Sequence, residues 1–269
     1  MCGHVGIAGT IENKHVSMFN DLLIFNIPRG KDSTGIASVD RDAHKKNLMD
    51  KDTYLIKAPV NAVDIQEFNG YRRVVNTGKF CIIGHGRHAT VGKVNKSNAH
   101  PFEFSEIIGA HNGTVPTHSM PKVPNKDQFG TDSEAIISAI NGLGVEEVIK
   151  EISGGAWALV WYDKTDASIN FLRNGQRPFI FGLLDDKKSL VWASEGDMIH
   201  AACSRNGVES NGNLFHLPEN QWYKFFIPIK SGDKFEDPII HELKGKETPV
   251  TNHYRSTGDN FSQQRRPIS

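Results

Sequence analysis

Met1-Cys-Gly-His-Val-Gly-Ile-Ala-Gly9 is the stretch on which the reading of this chain turns. Val5-Gly-Ile-Ala-Gly9 reads as a short buried strand, so the cysteine ahead of it would sit at a strand's end. Removal of Met1 would leave Cys2 with a free α-amino group beside its own thiol. An α-amino group titrates near ~7.7–8.0, so its neutral fraction can take the thiol proton and no separate histidine base is needed. Cys2 is therefore a candidate nucleophile that carries its own base. Because a cysteine at position two can also be accidental, the rest of the chain has to decide.

Composition narrows the classes. The 269 residues carry 31 Lys+Arg and 31 Asp+Glu, which removes any general electrostatic case for nucleic acid or an anionic membrane as partner. Cys2, Cys81 and Cys203 are odd in number and scattered, which argues against a disulfide framework and for a reducing compartment. The start lacks a basic region followed by an apolar core, and no stretch is apolar enough to span a bilayer, so a cytoplasmic protein is expected. One layered domain over residues 1–244 is expected, then a polar tail at 245–269 with little to bury.

Outward from the first strand, Met18, Phe19, Leu22, Leu23 and Asn26 recur at helical spacing, with Ser17 as the expected N-cap and Pro28 ending the element. Arg29-Gly-Lys-Asp-Ser-Thr-Gly35 reads as a turn opening into a strand at Ile36–Val39. A strand is expected at Tyr54–Ile56 and a weak helix around Val60–Phe68. Cys81-Ile-Ile-Gly-His-Gly-Arg-His-Ala-Thr-Val-Gly92 begins as a strand and is expected to break into its glycines. Gly84, Gly86 and Ala89 fit a dinucleotide fingerprint in spelling only, since no helical apolar period follows to present a dipole to a pyrophosphate. His85, His88, His100 and His111 follow no compact ligand spacing, so no metal is expected. Cys81 lies mid-strand and reads as inert core.

Ile107-Ile-Gly-Ala-His-Asn-Gly-Thr114 repeats the pattern of an apolar strand ending in polar residues. An Asn amide beside a glycine N–H makes a competent pair of donors for a developing oxyanion, although Asn-Gly is also a common turn dipeptide. Asp132 is the expected N-cap of a helix over Ala135–Asn141, and its carboxylate could also receive an ammonium group. Further strands are expected at 156–162, 169–172, 179–184, 190–193 and 221–227, with a short helix at Glu195–Cys203.

Taken together, Met1-Cys-Gly3, Arg29–Gly35, Gly84-His-Gly-Arg-His-Ala-Thr-Val-Gly92, Asn98-Ala-His-Pro101, His111-Asn-Gly113 and Thr131-Asp-Ser-Glu134 resemble the class II glutamine amidotransferases, whose glutaminase domains are N-terminal nucleophile hydrolases. The resemblance runs from Cys2 to about Ser194. It implies an α+β fold, a four-layer αββα sandwich of two mainly antiparallel sheets. It also implies that Cys2 attacks the side-chain amide of glutamine while Asn112 and Gly113 hold the oxyanion. Arg87 would bind the substrate α-carboxylate and Asp132 its α-ammonium, Thr90 and His88 would line the pocket, and Arg29 and Gly30 would anchor the new N-terminus. The family often carries Trp or Tyr where His88 stands, and some members carry His where Val91 stands.

No cofactor is demanded, because thiol, amine and hydrogen-bond donors supply every proton and charge. Larger relatives append an ammonia-consuming domain, which needs more than the residues beyond the glutaminase fold, so the expected partner is an ammonia-accepting synthetase in trans. Two alternatives stay open: the same nucleophile acting on another amide, and a non-catalytic binding or assembly module that retains Met1.

Overall fold

The computed structural model describes residues 2–41, 53–120, 124 and 126–243; the expected tail at 245–269 lies outside them, as does most of the charged stretch before Thr53. Thirteen strands occur among the described residues, in two antiparallel sheets. The first has seven strands: β1 (Gly3–Gly9), β2 (Ser33–Asp40), β3 (Thr53–Ala58), β4 (Lys79–Arg87), β9 (Ile180–Leu184), β10 (Ser189–Ala193) and β11 (Ser210–His216). Their spatial order is β11-β9-β10-β1-β4-β2-β3. The second has six: β5 (Phe102–Glu103), β6 (Ile107–Thr114), β7 (Ala156–Asp163), β8 (Ser168–Arg173), β12 (Gln221–Phe226) and β13 (Ile239–Glu242), in the order β13-β12-β8-β7-β6-β5.

Three apolar layers follow from the two-residue period of these strands. Val5, Ile7, Ile36 and Ile82 turn outward from the first sheet onto α1 (Asn13–Phe25) and α4 (Gly196–Asn206), which supply Met18, Phe19, Leu22, Met198 and Ile199. Their strand neighbours Ala8, Ala37, Cys81 and Ile83 turn the other way and meet Ile108, Ala110, Ala158 and Val160 of the second sheet. The outer face of that sheet, through Ile107, Leu159 and Trp161, packs on α2 (Asp132–Leu143) and α3 (Val145–Glu151). The result is helix, sheet, sheet, helix: the expected αββα sandwich.

Several local expectations need correction. The N-cap of α1 is Glu12, not Ser17, because Glu12 and His15 close a reciprocal box: the Glu12 side chain accepts from the His15 backbone and the Glu12 N–H donates to His15 Nδ1 at 3.0 Å. The N-cap of α2 is Thr131, whose hydroxyl accepts the Glu134 N–H at 3.1 Å, so Asp132 opens the helix and its carboxylate is free for another contact. The 60–68 segment forms only a single 3-10 turn, Asp64–Glu67. β4 does not break at its glycines but runs through them to Arg87. A Cβ on Gly30 would lie 2.5 Å from the Gly86 carbonyl oxygen, so the glycines let the 29–35 turn press directly on the strand's backbone.

Candidate active site

The layer between the sheets changes character along its length. Phe171, Phe179, Phe181, Trp192 and Phe225 fill one part with aromatic surface. Towards the other end the inward positions become polar: His4 on β1, His85 and Arg87 on β4, and Asn112 on β6 are all buried. Cys2 precedes β1 by one residue and shares the facing of His4, Gly6 and Ala8.

Cys2 is 9% exposed, and its Sγ lies 3.4 Å from both the backbone nitrogen and the backbone oxygen of His88. Burial pushes its thiol above the ordinary cysteine range; the His88 N–H and the Arg87 guanidinium oppose that, and the Asp132 carboxylate adds to it. The thiol therefore keeps its proton at neutral pH and needs a base to act as a nucleophile. Arg29 is buried beside it, donating from Nε to the Cys2 carbonyl at 3.2 Å and pairing through Nη1 with Glu195. Asn26 Nδ2 donates to the Gly3 carbonyl at 2.8 Å. Thus two side chains from the end of α1 and the turn after it hold the carbonyls that flank the start of β1.

Asn112 is fully buried, and its Nδ2 donates to Ser194 Oγ at 3.3 Å. The same hydroxyl oxygen accepts the His4 backbone N–H at 2.9 Å. His4 Nε2 lies 2.9 Å from the Ala158 carbonyl oxygen. These contacts tie β1 of one sheet to β6 and β7 of the other. At Gly113 a Cβ would lie 1.8 Å from the Ala156 carbonyl oxygen, so only glycine fits there.

Arg87 donates from Nη1 to the Lys93 carbonyl at 3.2 Å and from Nη2 to the Val91 carbonyl, folding the 88–93 segment around the guanidinium. Asp132 accepts the Val115 N–H at 2.7 Å and stands 3.9 Å from His111 Nδ1. A cleft of about 300 Å³ opens here, with Val91, Thr114, Phe129, Thr131 and Asp132 among its lining residues. Thr90 is exposed, its hydroxyl 3.1 Å from that of Thr114. His88 is also exposed, with Nδ1 3.3 Å from an Asp32 carboxylate oxygen.

Four neutral imidazoles back the site. Burial holds His4 down to about 3 and keeps His85 and His100 well below the usual imidazole range, while His111 is lowered by burial against the pull of Asp132. The rings of His85 and His100 lie with centres 4.1 Å apart and planes tilted by 30°. Elsewhere Glu12, His15 and Asp185 gather carboxylate and imidazole atoms, but Lys14 Nζ, 2.8 Å from the Asp185 carboxylate, supplies its counter-charge.

The structure thus brings Cys2 together with Arg29, Arg87 and the His88 backbone, and joins Asn112 to the start of β1 through Ser194. Asp132 lies along the adjoining cleft, and Thr90 touches its lining only through the Thr114 hydroxyl. The His88 side chain turns to Asp32. Sequence reasoning missed His4, Asp32, Ser194 and Glu195. The alternation of β1 could have placed His4 on the face of Cys2, and Asp32 lies inside the Arg29–Gly35 motif without a role assigned to it, whereas nothing local marks Ser194 or Glu195.

No protein-family model matches the chain. Curated relatives include the glutamine-fructose-6-phosphate aminotransferase [isomerizing] of Yersinia pseudotuberculosis, 26% identical over 266 residues that cover 87% of this chain and 40% of that protein. The enzyme of the same name from Vibrio cholerae is 26% identical and is covered to 45% of its length. The chain therefore spans less than half the length of these curated relatives. Among solved structures, the glutamine phosphoribosylpyrophosphate amidotransferase of B. subtilis superposes with a TM-score of 0.64 at 19% identity, covering 90% of this chain and 49% of that one. A glutamine aminotransferase class-II domain protein from Silicibacter pomeroyi gives 0.55 at 12% identity, over 91% of this chain and all of that one.

The architecture is the αββα sandwich of the N-terminal nucleophile hydrolases, shared with these solved structures. The names of the sequence relatives, with the fold, support a class II glutamine amidotransferase domain. No helix among the described residues is long and apolar enough to cross a membrane.

Proposed function

We propose that this chain hydrolyses the side-chain amide of glutamine through Cys2, once Met1 is removed, and passes the ammonia to an acceptor enzyme in trans. The observation that carries this reading is the buried thiol of Cys2, opposite Arg87 along the β1–β4 ladder and within the electrostatic reach of two groups of opposite charge, Arg87 and Asp132. A free α-amino acid offers one carboxylate and one ammonium, the complements of that pair. An acyl chain offers neither, which favours a free α-amino acid such as glutamine over acyl amides.

The raised thiol pKa supports the need for the terminal amine. While Met1 is attached, the Cys2 nitrogen is an amide and accepts no proton. Freed, it takes the thiol proton as sulfur bonds to the amide carbon, and the oxyanion rests on Asn112 and Gly113. The protonated amine then gives its proton to the departing nitrogen, the C–N bond breaks and ammonia leaves. Water, deprotonated by the same amine, cleaves the γ-glutamyl thioester to glutamate and restores the thiol.

The remaining residues are assigned supporting roles: Arg29 and Gly30 hold the turn that anchors the terminus, Thr90 borders the cleft through Thr114, and His88 contributes through its backbone. We assign the domain to residues 1–244. The curated relatives, by name, act on glutamine and fructose 6-phosphate within much longer chains; the acceptor here is proposed as a separate enzyme.

The test combines intact mass with glutaminase assay and labelling by a glutamine-mimicking diazo ketone. Loss of Met1, ammonia release and one label per chain are expected, with activity and label absent in Cys2→Ala. Activity surviving that substitution would overturn the mechanism. Retention of Met1 in an inactive purified protein would favour the binding module instead, and full turnover unaffected by any acceptor enzyme would remove the in-trans partner.

A further inference from the structure

We propose that Ser194 is a positioning residue for the oxyanion site, holding the Asn112 amide in register with the nucleophile. This rests on the glutaminase reading above. The geometry is specific. Ser194 follows β10 directly, and its fully buried hydroxyl oxygen accepts the backbone N–H of His4 at 2.9 Å. That N–H can only donate, so one lone pair of Oγ is committed to β1, two residues from Cys2. The Asn112 amide of the opposite sheet donates to the same oxygen at 3.3 Å.

A single atom therefore couples the strand that carries the thiol to the strand that carries the oxyanion donors. Each amide nitrogen has two hydrogens, and Ser194 takes one, which sets the plane of the amide and the direction of the second. A further bond, from the backbone N–H of Ser194 to the His4 carbonyl at 3.0 Å, anchors the serine itself. Among the described residues the hydroxyl bonds to His4 and Asn112 and does not line the cleft beside Asp132, where the amino-acid ammonium would bind. Its influence falls on the transition state and not on ground-state affinity.

The experiment compares the full chain with Ser194→Ala, measuring kcat and KM for glutamine and the affinities for two ligands. Glutamate γ-semialdehyde forms a tetrahedral adduct with the thiol and so uses the oxyanion site; glutamate uses only the amino-acid contacts. Losing one oxyanion donor outright lowers kcat by about 100- to 1,000-fold, so releasing its anchor is expected to lower kcat about 10- to 100-fold. KM should stay within about twofold. Semialdehyde affinity should fall in step with kcat, while glutamate affinity stays unchanged.

Should the alanine variant not fold, Ser194→Cys, whose sulfur is a weaker acceptor, is put through the same comparison, with a smaller loss of the same pattern expected. Unchanged kcat, or equal losses of semialdehyde and glutamate binding, would overturn the positioning role. A wild-type chain that releases no ammonia from glutamine would instead overturn the parent reading, a distinct outcome.

Discussion

Acidification to pH 5 should destabilise this fold markedly, because the layer between its sheets holds imidazoles that cannot take up charge in place. His4 is fully buried, and burial holds its pKa down to about 3 against the opposing bond to the Ala158 carbonyl. In the unfolded chain it would titrate near the ordinary 6.5. The unfolded state therefore binds a proton below 6.5 that the folded state refuses until about 3. Stability from this group is complete above 6.5 and is lost as the pH falls through that window. At pH 5 the loss from His4 alone is about 2 kcal/mol, a sizeable part of the roughly 5–15 kcal/mol that domains possess. His85 and His100 shift in the same direction through burial, and their contact adds mutual repulsion should both become charged, so both steepen the loss.

The assay is urea denaturation at pH 7.5, 6.5, 5.5 and 5.0, a range in which ordinary carboxylates stay largely ionised. The midpoint should fall only slightly between 7.5 and 6.5 and then with increasing slope. His100→Phe offers a control. Neither ring nitrogen of His100 has a hydrogen-bond partner among the described residues, and the ring already packs against Phe102. Phenylalanine should keep stability at pH 7.5 within about 1 kcal/mol and flatten the acid limb. A midpoint at pH 5 equal to that at pH 7.5, or a variant with the same acid slope as the parent, would refute the reasoning.

Other perturbations separate structure from function. Arg87→Ala should raise the KM for glutamine about 10- to 100-fold, the worth of a charge-assisted contact, in steady-state ammonia release; an unchanged KM would redirect the search for the carboxylate site. Thr131→Ala removes the N-cap of α2 and should cost about 1 kcal/mol in chemical denaturation, while Thr131→Ser should restore it. Gly113→Ala drives a methyl group into the Ala156 carbonyl oxygen, and should lower activity or thermal stability far more than Gly142→Ala, where a Cβ meets nothing within 4 Å.

Much of this architecture could be read from the sequence where packing obeys a simple period. The alternating or apolar runs that became β1, β6, β7 and β10 face apolar layers, so their composition reports their burial. The cap of α2 was also legible but misplaced: Thr131-Asp-Ser-Glu134 spells the spacing of a capping box, and reading Thr131 as the cap would have freed Asp132 for the Val115 N–H. The cap of α1 gave no such cue, since its reciprocal box uses Glu12 and His15. The glycines of β4 point to a break, yet the strand runs through them and they serve a neighbouring turn that no local pattern reveals. β11 begins with Ser210-Asn-Gly-Asn213, which reads as a turn, and its pairing with β9 shifts register within that stretch. Ser194 and Glu195 escaped notice because their partners, Asn112 and Arg29, are 82 and 166 residues away.

Register explains why the candidate site lies where it does. β1 is central in its sheet, flanked by β4 on one side and β10 on the other. Gly3 pairs with Gly86 and His4 with His85, so one step further along the antiparallel ladder Cys2 comes opposite Arg87. On the other edge Val5 pairs with Ala193, and one step further His4 meets Ser194. The thiol, the guanidinium and the serine hydroxyl thus owe their places to two strand registers. Apolar layers on both faces of the sheet enforce those registers, because a slip of one residue would turn Val5 and Ile7 into the inter-sheet layer and Ala8 out of it. The same core packing that stabilises the sandwich therefore sets the placement of the proposed nucleophile, Cys2, against the guanidinium proposed to grip its substrate.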